Sequence, residues 1–260
     1  MGAVVAVLTG LMAVAGVGLA AEPAVTIDIV YDNTSARAGF VDDWGFAAVV
    51  TVGEQRILFD SGADPELFMR QLERLRIDPV TITHAVISHR HADHLGGIYR
   101  LVLRNHDMKV FFLDSFPEDA FNVAAAVNLF PERVTGPREI VPGVYTTGPI
   151  DGRIPEQALL VETSEGLVML VGCGHPGVAK MVEAAERQRK TGSVRLLLGG
   201  FHMMRMSEEQ IRAEIARLQE LHVEKIAPAH CTGEKAKRLI RRAWKGNSVA
   251  AGAGRRIVLK

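Results

Sequence analysis

The segment His89–His94, of sequence HRHADH, places three histidines and one aspartate within six residues. It directly follows the apolar run 85–88, AVIS, which predicts a buried strand. Imidazole nitrogens and a carboxylate oxygen are the ligand mix that suits zinc or a similar divalent ion. A polar surface loop would explain one or two of these histidines but not their spacing. The segment therefore predicts a metal site at the end of a strand.

The spacing of the ligands within the segment predicts that it binds two metal ions. Alternate residues of an extended chain project to the same side, so His89 and His91 are expected to bind one ion together. Asp93 and His94 follow where the chain turns toward a helix that is expected to open near Leu95. These two residues are predicted to bind a second ion a few ångströms away.

The composition is that of an ordinary globular protein. With 260 residues, 48% of them hydrophobic, the chain can bury a substantial core and is most simply one domain. Lysine and arginine total 30, as do aspartate and glutamate, so the formal net charge is zero. A balanced charge gives no support to nucleic-acid binding. The expected partner is a small-molecule substrate.

The N-terminal residues differ in composition from the rest of the chain. Residues 2–21 carry no charged side chain and finish with small residues, which is typical of a signal peptide cleaved after Ala20 or Ala21. We expect residues 22–245 to form the folded domain and residues 246–260 a C-terminal tail. The expected location is the bacterial periplasm. The alternative is an uncleaved anchor that attaches the protein to the membrane, because about 18 apolar residues begin to suffice for spanning.

Alternating strand and helix patterns predict an α/β fold. Helices are expected at 65–74, 96–104, from 117 onward, and at 178–188, 208–221 and 234–245. A loop-rich stretch with one short strand is expected over 130–155. Strands are predicted at 25–30, 47–52, 56–59, 109–113, 144–147, 159–162, 167–171, 194–198 and 225–227, with a final strand in the tail.

Three strands of the second half each stop at a histidine: His175, His202 and His230. Polar groups at the ends of buried strands are a common way to build a site on a rigid frame. The two cysteines, Cys173 and Cys231, lie beside two of these histidines. A disulfide is the usual expectation for an exported protein, and a role at a metal site is the competing interpretation.

Together these motifs resemble the metallo-β-lactamase superfamily, whose signature is His-x-His-x-Asp-His. The resemblance covers most of the chain, including an aspartate turn at Phe59–Gly62 and a last histidine motif at Pro228–His230. The segments 172–177, 199–202 and 230–233 are similar to a subgroup of dihydropterin ribofuranosyl-aminobenzene phosphate synthase-like proteins. The resemblance implies a four-layer αββα sandwich.

The resemblance also implies a ligand set. His89 and His91 would bind the first metal, and Asp93, His94 and His230 the second. Two departures stand out in this chain. Where many relatives have a histidine before the second hairpin, this chain reads Pro155-Glu156-Gln157, and the usual bridging aspartate is replaced by Cys173. His175, two residues after Cys173, is expected to complete the first metal's ligands. Cys173 remains a candidate ligand, and its thiolate would favour zinc.

Other residues are predicted to support the metal ligands or to take part in catalysis. Asp60 is expected to orient a metal-bound histidine, with turn capping as the alternative. Cys231 is expected to support the ligands. Asp93 and His202 are the predicted catalytic residues, and His202 is expected to contact metal or substrate or else to satisfy a core hydrogen bond.

The predicted function is that of a hydrolase with two zinc ions, with iron or manganese as alternative metals. Water activated by the ions would attack an ester, phosphoester or lactam-type small molecule. Three alternatives are open: a synthase that transfers a ribofuranosyl phosphate in pterin metabolism, a di-iron redox protein, and a metal-poor binding module.

Overall fold

The computed structural model describes residues 24–190 and 192–259, so the predicted export segment 1–21 lies outside the described residues. The helices are α1 Pro65–Arg74, α2 Ala92–Leu95, α3 Ile98–Val102, α4 Glu118–Ala125, α5 Val178–Arg189, α6 Glu208–Glu220 and α7 Glu234–Trp244. The strands are β1 Val25–Tyr31, β2 Ala47–Val52, β3 Gln55–Phe59, β4 His84–Val86, β5 Lys109–Leu113, β6 Glu132–Val134, β7 Arg138–Val141, β8 Val144–Thr146, β9 Leu159–Thr163, β10 Gly166–Val171, β11 Val194–Gly200, β12 Val223–Ala229 and β13 Arg256–Leu259.

The strands form two mixed sheets. The first sheet has the order β13-β1-β2-β3-β4-β5-β6, and the second has the order β12-β11-β10-β9-β8-β7. Strands β3 to β6 pair in parallel, as do β10, β11 and β12. Because parallel strands end at the same edge of a sheet, the residues that follow β3 and β4 gather at one edge of the first sheet. Those that follow β10, β11 and β12 gather at one edge of the second.

The side-chain alternation of the second sheet shows how the layers stack. Leu159 and Leu170 belong to the core cluster that also contains Ile57 of β3 and Phe68 of α1. Leu160, the next residue on β9, belongs to the cluster formed with helices α5, α6 and α7. One face of the second sheet therefore packs on the first sheet and the other packs on helices. The arrangement is a four-layer αββα sandwich, which confirms the predicted fold.

Two elements differ from the sequence-based expectation. The helix expected to open near Leu95 begins at Ala92, so Asp93 and His94 lie inside α2, and Gly96 and Gly97 separate α2 from α3. The backbone N–H of Gly97 donates to the carbonyl oxygen of Ser61 at 3.2 Å, and a Cβ on Gly97 would lie 2.3 Å from that oxygen, so this close approach requires glycine. The stretch 130–155 contains three short strands, β6, β7 and β8, where one was expected.

The C-terminal residues join the first sheet. Strand β13 pairs antiparallel with β1 from Val25 opposite Leu259 to Asp28 opposite Arg256. The final strand expected in the tail is therefore present, while the proposed division at residues 245 and 246 stays a prediction. In the part of the chain that the structure describes, no helix combines the length and the apolar character needed to cross a bilayer.

Candidate metal centre

Two groups of possible metal ligands lie side by side between the sheet edges. The first group consists of His89, His91 and His175, and the second of Asp93, His94 and His230. Within each group, the ligand atoms all lie within 4.8 Å of one another. Residues far apart in the sequence thus meet because β4, β10 and β12 end at the same end of the sandwich. The sequence-based grouping is reproduced by this geometry, including the position of His175 beside the first pair.

The first group is held by contacts between histidine rings. Nε2 of His89 lies 3.0 Å from Nδ1 of His91. The rings of His89 and His91 both contact the ring of His175, at centroid distances of 4.7 and 4.8 Å. His89 is fully buried, whereas His91 and His175 are partly exposed. The group therefore has a closed side toward the core and an open side toward solvent.

The second group brings a carboxylate against two imidazoles. Oδ2 of Asp93 lies 3.3 Å from Nε2 of His230 and 3.7 Å from Nε2 of His94. Both histidine side chains are fully buried, and the Asp93 side chain is 19% exposed. Burial raises the pKa of Asp93, but its hydrogen bond with His230 and the charge of His94 outweigh burial and hold that pKa well below its usual range. The carboxylate is therefore charged, the form that binds a cation.

A single buried carboxylate, that of Asp60, orients two of the histidines. Oδ2 of Asp60 accepts a hydrogen bond from Nδ1 of His94 at 2.7 Å and another from Oγ of Ser88 at 2.7 Å. Since the Ser88 hydroxyl donates to Asp60, it is available to accept from Nδ1 of His89, 2.9 Å away. Both rings then carry their proton on Nδ1 and present Nε2 to the centre, the arrangement typical of metal-bound histidines.

The pKa of His94 shows the strength of this contact. Burial alone lowers the pKa of the ring, but the charge and hydrogen bond of Asp60 raise it to about 9. Because Nδ1 already carries a proton, the group that titrates is Nε2, which lies 3.3 Å from Sγ of Cys173. A metal ion and a proton therefore compete for the same nitrogen.

Two residues that the sequence analysis did not single out hold His230. Oδ1 of Asp32 accepts a hydrogen bond from the backbone N–H of His230 at 2.6 Å. Oδ1 of Asn33 accepts from the backbone N–H of Gly45 at 3.1 Å and lies 2.8 Å from Nδ1 of His230. An oxygen that accepts from Gly45 requires His230 to donate from Nδ1. Nε2 of His230 is left buried and lies 3.3 Å from Oδ2 of Asp93.

Glu156 holds the turn that carries Cys173 and His175. Its buried carboxylate accepts three backbone N–H bonds, from Cys173 at 2.8 Å, Gly174 at 3.0 Å and His175 at 2.9 Å. Burial raises the pKa of Glu156 to about 7, although these three donors act in the opposite direction. The sequence analysis noted Glu156 as a departure from the family pattern but assigned it no role. In the structure it acts on the backbone of the ligand turn.

The chain adopts left-handed backbone conformations at three residues of the centre. Asp60, His202 and His230 have φ values of 57°, 51° and 42°. Such values are uncommon for residues other than glycine and are found at functional sites, where the surrounding structure maintains them. Gly172 provides space beside them, since a Cβ there would lie 2.1 Å from Oγ of Ser88 and 2.8 Å from Oδ2 of Asp60. The Asp60 network therefore depends on this glycine.

The two cysteines are in contact but not bonded. Their sulfur atoms are 3.2 Å apart, both thiols are free and both are buried. A disulfide requires about 2.05 Å between the sulfurs. From the sequence, Cys173 occupies the position of the bridging aspartate, and His175 was expected beside the first ion. His175 lies with His89 and His91, whereas the Cys173 sulfur groups with His89 and His94, and also with His202 and Cys231.

Exposed side chains surround the opening of the centre. Trp44 is 48% exposed, and its ring lies 4.9 Å from the ring of His230. His202 is exposed and its ring lies 4.3 Å from that of His175. Arg90 is exposed between the two first-group residues His89 and His91 and, among the described residues, forms no ion pair. This opening offers an aromatic surface and positive charge to a bound molecule.

The protonation of the first group agrees with metal binding. Burial lowers the pKa of His89 well below its usual range, and the neighbouring rings act in the same direction. Burial, together with the charge of His202, lowers the pKa of His175 to about 3. Within residues 24–190 and 192–259, Nε2 of His175 is buried and has no hydrogen-bond partner. Neutral rings whose nitrogens lie within 4.8 Å of one another are the donors that a divalent cation requires.

The comparisons with known proteins agree with this geometry. The family model of the metallo-beta-lactamase superfamily matches residues 45–110, which include the HRHADH segment. The fold and the convergent ligand groups extend the match beyond those residues. The chain therefore has the metallo-β-lactamase fold, and its residues 45–110 match the model of that superfamily.

The chain is also similar to individual proteins and solved structures. The chain is 29% identical over 246 residues to 7,8-dihydropterin-6-methyl-4-(beta-D-ribofuranosyl)-aminobenzene-5'-phosphate synthase from Methanocaldococcus jannaschii, covering 78% of this chain and 84% of that protein. The solved structure of Tm1679, a metal-dependent hydrolase of the β-lactamase superfamily, superposes with a TM-score of 0.77 at 24% identity, covering 91% of this chain and 99% of that one. Zinc-bound PqqB from Methylobacterium extorquens gives a TM-score of 0.60 at 13% identity, covering 90% and 100%.

Proposed function

We propose that this protein is a hydrolase that uses two divalent metal ions, one bound by His89, His91 and His175 and the other by Asp93, His94 and His230. One observation carries the proposal: the hydrogen bonds of Asp60, Ser88 and Asn33 place a proton on Nδ1 of three histidines and turn each Nε2 inward. Structural histidines do not require two separate networks, one through Asp60 and Ser88 and one through Asn33, that agree on the same tautomer at three rings. Metal ligands do.

The residues of the chain have separate tasks in this proposal. Ions bound at such groups act as Lewis acids and lower the pKa of water to about 7. Asp93, which is partly exposed, brings negative charge to the second group and lies at the boundary between the buried rings and the opening. The buried His94 and His230 exclude solvent from the inner side. His202 lies at the outer side, where it is available to contact a substrate.

Zinc is the proposed metal. The Cys173 sulfur lies 3.3 Å from Nε2 of His94, and a thiolate so near the ligands favours zinc over magnesium or manganese. The zinc-bound PqqB structure has the same fold. Iron and manganese are the alternatives, and elemental analysis of purified protein distinguishes the three metals.

The opening favours an anionic substrate among the ester, phosphoester and lactam classes. Arg90 supplies a positive charge beside His91, and Trp44 supplies an exposed aromatic face beside His230. A guanidinium group suits a phosphate oxygen pair, and an indole ring suits an aromatic or sugar group. A small phosphodiester with an aromatic group is therefore the preferred test substrate.

The experiment is a hydrolysis screen of zinc-loaded protein. Bis(p-nitrophenyl) phosphate, p-nitrophenyl acetate, an N-acyl homoserine lactone and a chromogenic β-lactam represent the four bond types. His91→Ala and His230→Ala each remove a ligand from a different group and are expected to abolish turnover while circular dichroism shows a folded chain. His106→Ala changes an exposed histidine and serves as the matched control. Full turnover in either ligand variant would overturn the proposal.

A ribofuranosyl-phosphate-transferring synthase is the second candidate function. The observation in its favour is the 29% identity to the Methanocaldococcus jannaschii synthase over most of both chains. Export of the chain, predicted from residues 2–21, would separate it from cytoplasmic pterin precursors. Incubation with p-aminobenzoate derivatives and a ribose phosphate donor, followed by mass spectrometry, tests this candidate directly. A ribofuranosylated product without hydrolysis in the screen would favour the synthase.

The cellular setting is a separate proposal. We infer export to the bacterial periplasm, or anchoring to the membrane if residues 2–21 are retained. Fractionation of cells, with mass spectrometry of the mature N-terminus, tests both. A chain found in the cytoplasm with residues 2–21 intact would contradict export and remove the argument against the synthase.

A further inference from the structure

A third cluster of possible metal ligands lies beside the two groups of the proposed hydrolase. It consists of Cys173, His202 and Cys231, whose ligand atoms all lie within 4.8 Å of one another. Each residue comes from the end of a different strand of the second sheet, namely β10, β11 and β12. Three separate loops therefore bring two sulfurs and one imidazole together.

We propose that Cys173, His202 and Cys231 form a third metal-binding set, which takes a zinc-like ion with two thiolate ligands and one histidine ligand. Soft sulfur ligands with imidazole select zinc over hard cations. Two cysteines and one histidine leave one of the four tetrahedral positions open. His202 is exposed, so this side of the set is accessible from solvent.

The arrangement of the two sulfurs supports this assignment. The sulfur atoms are 3.2 Å apart, too far for a disulfide and close enough for both to contact one ion after a small adjustment. Sγ of Cys231 also lies 3.4 Å from the carbonyl oxygen of Cys173, so the two loops are joined at this point. Both cysteines are buried, which limits their reaction with solvent oxidants.

The surrounding backbone leaves space for sulfur. A Cβ on Gly200 would lie 2.8 Å from Sγ of Cys231, so a larger residue at this position would push the thiol away. The hydroxyl of Thr232 accepts a hydrogen bond from the N–H of Phe201 at 3.1 Å and donates to the carbonyl oxygen of Ala229 at 2.6 Å. These bonds hold the β11 and β12 loops, and with them His202 and Cys231, in a fixed relation.

The conformation of His202 is consistent with a ligand role. Its φ of 51° is unfavourable for a residue with a side chain. His202 is exposed, so core packing does not explain why a histidine occupies this strained position. A ligand role gives a reason, since a ring nitrogen of His202 lies within 4.8 Å of both cysteine sulfurs.

The test separates this set from the two groups of the proposed hydrolase. The double variant His91→Ala/Asp93→Ala removes one ligand from each of those groups and leaves Cys173, His202 and Cys231 intact. Titrated with Co²⁺ under reducing conditions, this variant is expected to bind one ion per chain with the near-ultraviolet absorption of thiolate-to-cobalt charge transfer. Adding Cys231→Ser to the double variant is expected to abolish both the ion and the absorption.

Further variants make the result decisive. In the double variant, His202→Ala is expected to weaken Co²⁺ binding at least tenfold, and His106→Ala is the control that leaves it unchanged. Circular dichroism and thermal unfolding verify that each variant folds. Absence of a thiolate-bound ion in the folded double variant would overturn the inference, as would unchanged absorption after Cys231→Ser. Neither result depends on hydrolysis, so the proposed function and this inference fail separately.

Discussion

The two sheets contribute to the centre in different ways. On the first sheet, the ligands come mostly from one segment, and the side chain of Asp60 orients them directly or through Ser88. On the second sheet, each ligand comes from a separate loop, and acidic side chains bind the backbone rather than the ligand rings. Glu156 accepts the amides of residues 173–175, and Asp32 accepts the amide of His230.

The two sheets therefore position their candidate metal ligands in two different ways. A compact motif already places its ligands together, so only the ring orientation has to be set, and a side-chain hydrogen bond does this. Ligands on separate loops must first be brought into position, which requires control of the backbone. Control of the backbone cannot be recognised in a short sequence motif, because the carboxylate that binds the backbone lies far from the ligand in the sequence.

Among the tests that compare the two sheets, the largest effect is expected from the loss of Asp93, whose carboxylate lies beside His94 of the first-sheet segment and His230 of the second sheet. Asp93→Ala removes the carboxylate that lies between His94 and His230 and is expected to reduce hydrolysis roughly 1,000-fold, since metal chemistry contributes several kcal/mol. The measurement is kcat/KM on the best substrate of the screen. Activity within threefold of the parent, at equal metal content, would show that the first-sheet segment is not the centre of the reaction.

Glu156 provides a test of the second sheet through pH. Its folded pKa of about 7 lies above the ordinary 4.5, so the folded state binds more protons than the unfolded state between these values. The contribution of Glu156 to the free energy of unfolding of chelator-treated protein should therefore be highest below pH 4.5 and fall by about 3 kcal/mol as the pH rises to 7.

Glu156→Gln is the matched variant for this measurement, because it keeps the size of the side chain but does not ionise. Urea unfolding of both proteins from pH 4.5 to 7 isolates the contribution of Glu156 from that of the other titrating groups. A parallel pH dependence in the two proteins would contradict the interpretation of Glu156 as a buried carboxyl that becomes charged near neutral pH.

Asp60 provides the corresponding test of the first sheet. Asp60→Asn tolerates the left-handed backbone but cannot accept from Ser88 and His94 as a carboxylate does. Zinc affinity is expected to fall 10- to 100-fold, the usual effect of losing a partner of a metal-bound histidine. Competition with a chromophoric chelator gives the dissociation constant. Unchanged affinity would favour the alternative reading, in which Asp60 only caps a turn.

The smallest expected effect is at Asn33, which orients His230 through a neutral amide. Asn33→Ala removes one hydrogen bond to Nδ1 and one to Gly45, and a neutral hydrogen bond contributes about 1 kcal/mol. Zinc affinity should therefore fall roughly fivefold, less than in Asp60→Asn. The same chelator competition measures it, and an effect larger than that of Asp60→Asn would reverse the proposed ranking of the two sheets.

Much of the fold was predictable because periodicity is a local property. The pattern at 159–171 predicted the β9–β10 hairpin, and strand β11 was expected close to where it lies. The predicted elements were wrong where contacts between residues distant in the sequence determine the local structure. Between α2 and α3, Gly96 and Gly97 donate to the carbonyl oxygens of Gly62 and Ser61, which lie more than thirty residues away and which no local pattern could predict.

The sequence alone determined which residues are able to bind a metal, since the chemistry of His89, His91, Asp93 and His94 and their spacing are written in six residues. Tertiary structure decided how they are used. It placed the Cys173 sulfur beside both His89 and His94, recruited Asn33 and Glu156, and fixed which nitrogen of each ring is free. The physical reason is that a tautomer or a ligand grouping depends on hydrogen-bond partners within about 3 Å, and the fold brings those partners from strands that are distant in the chain.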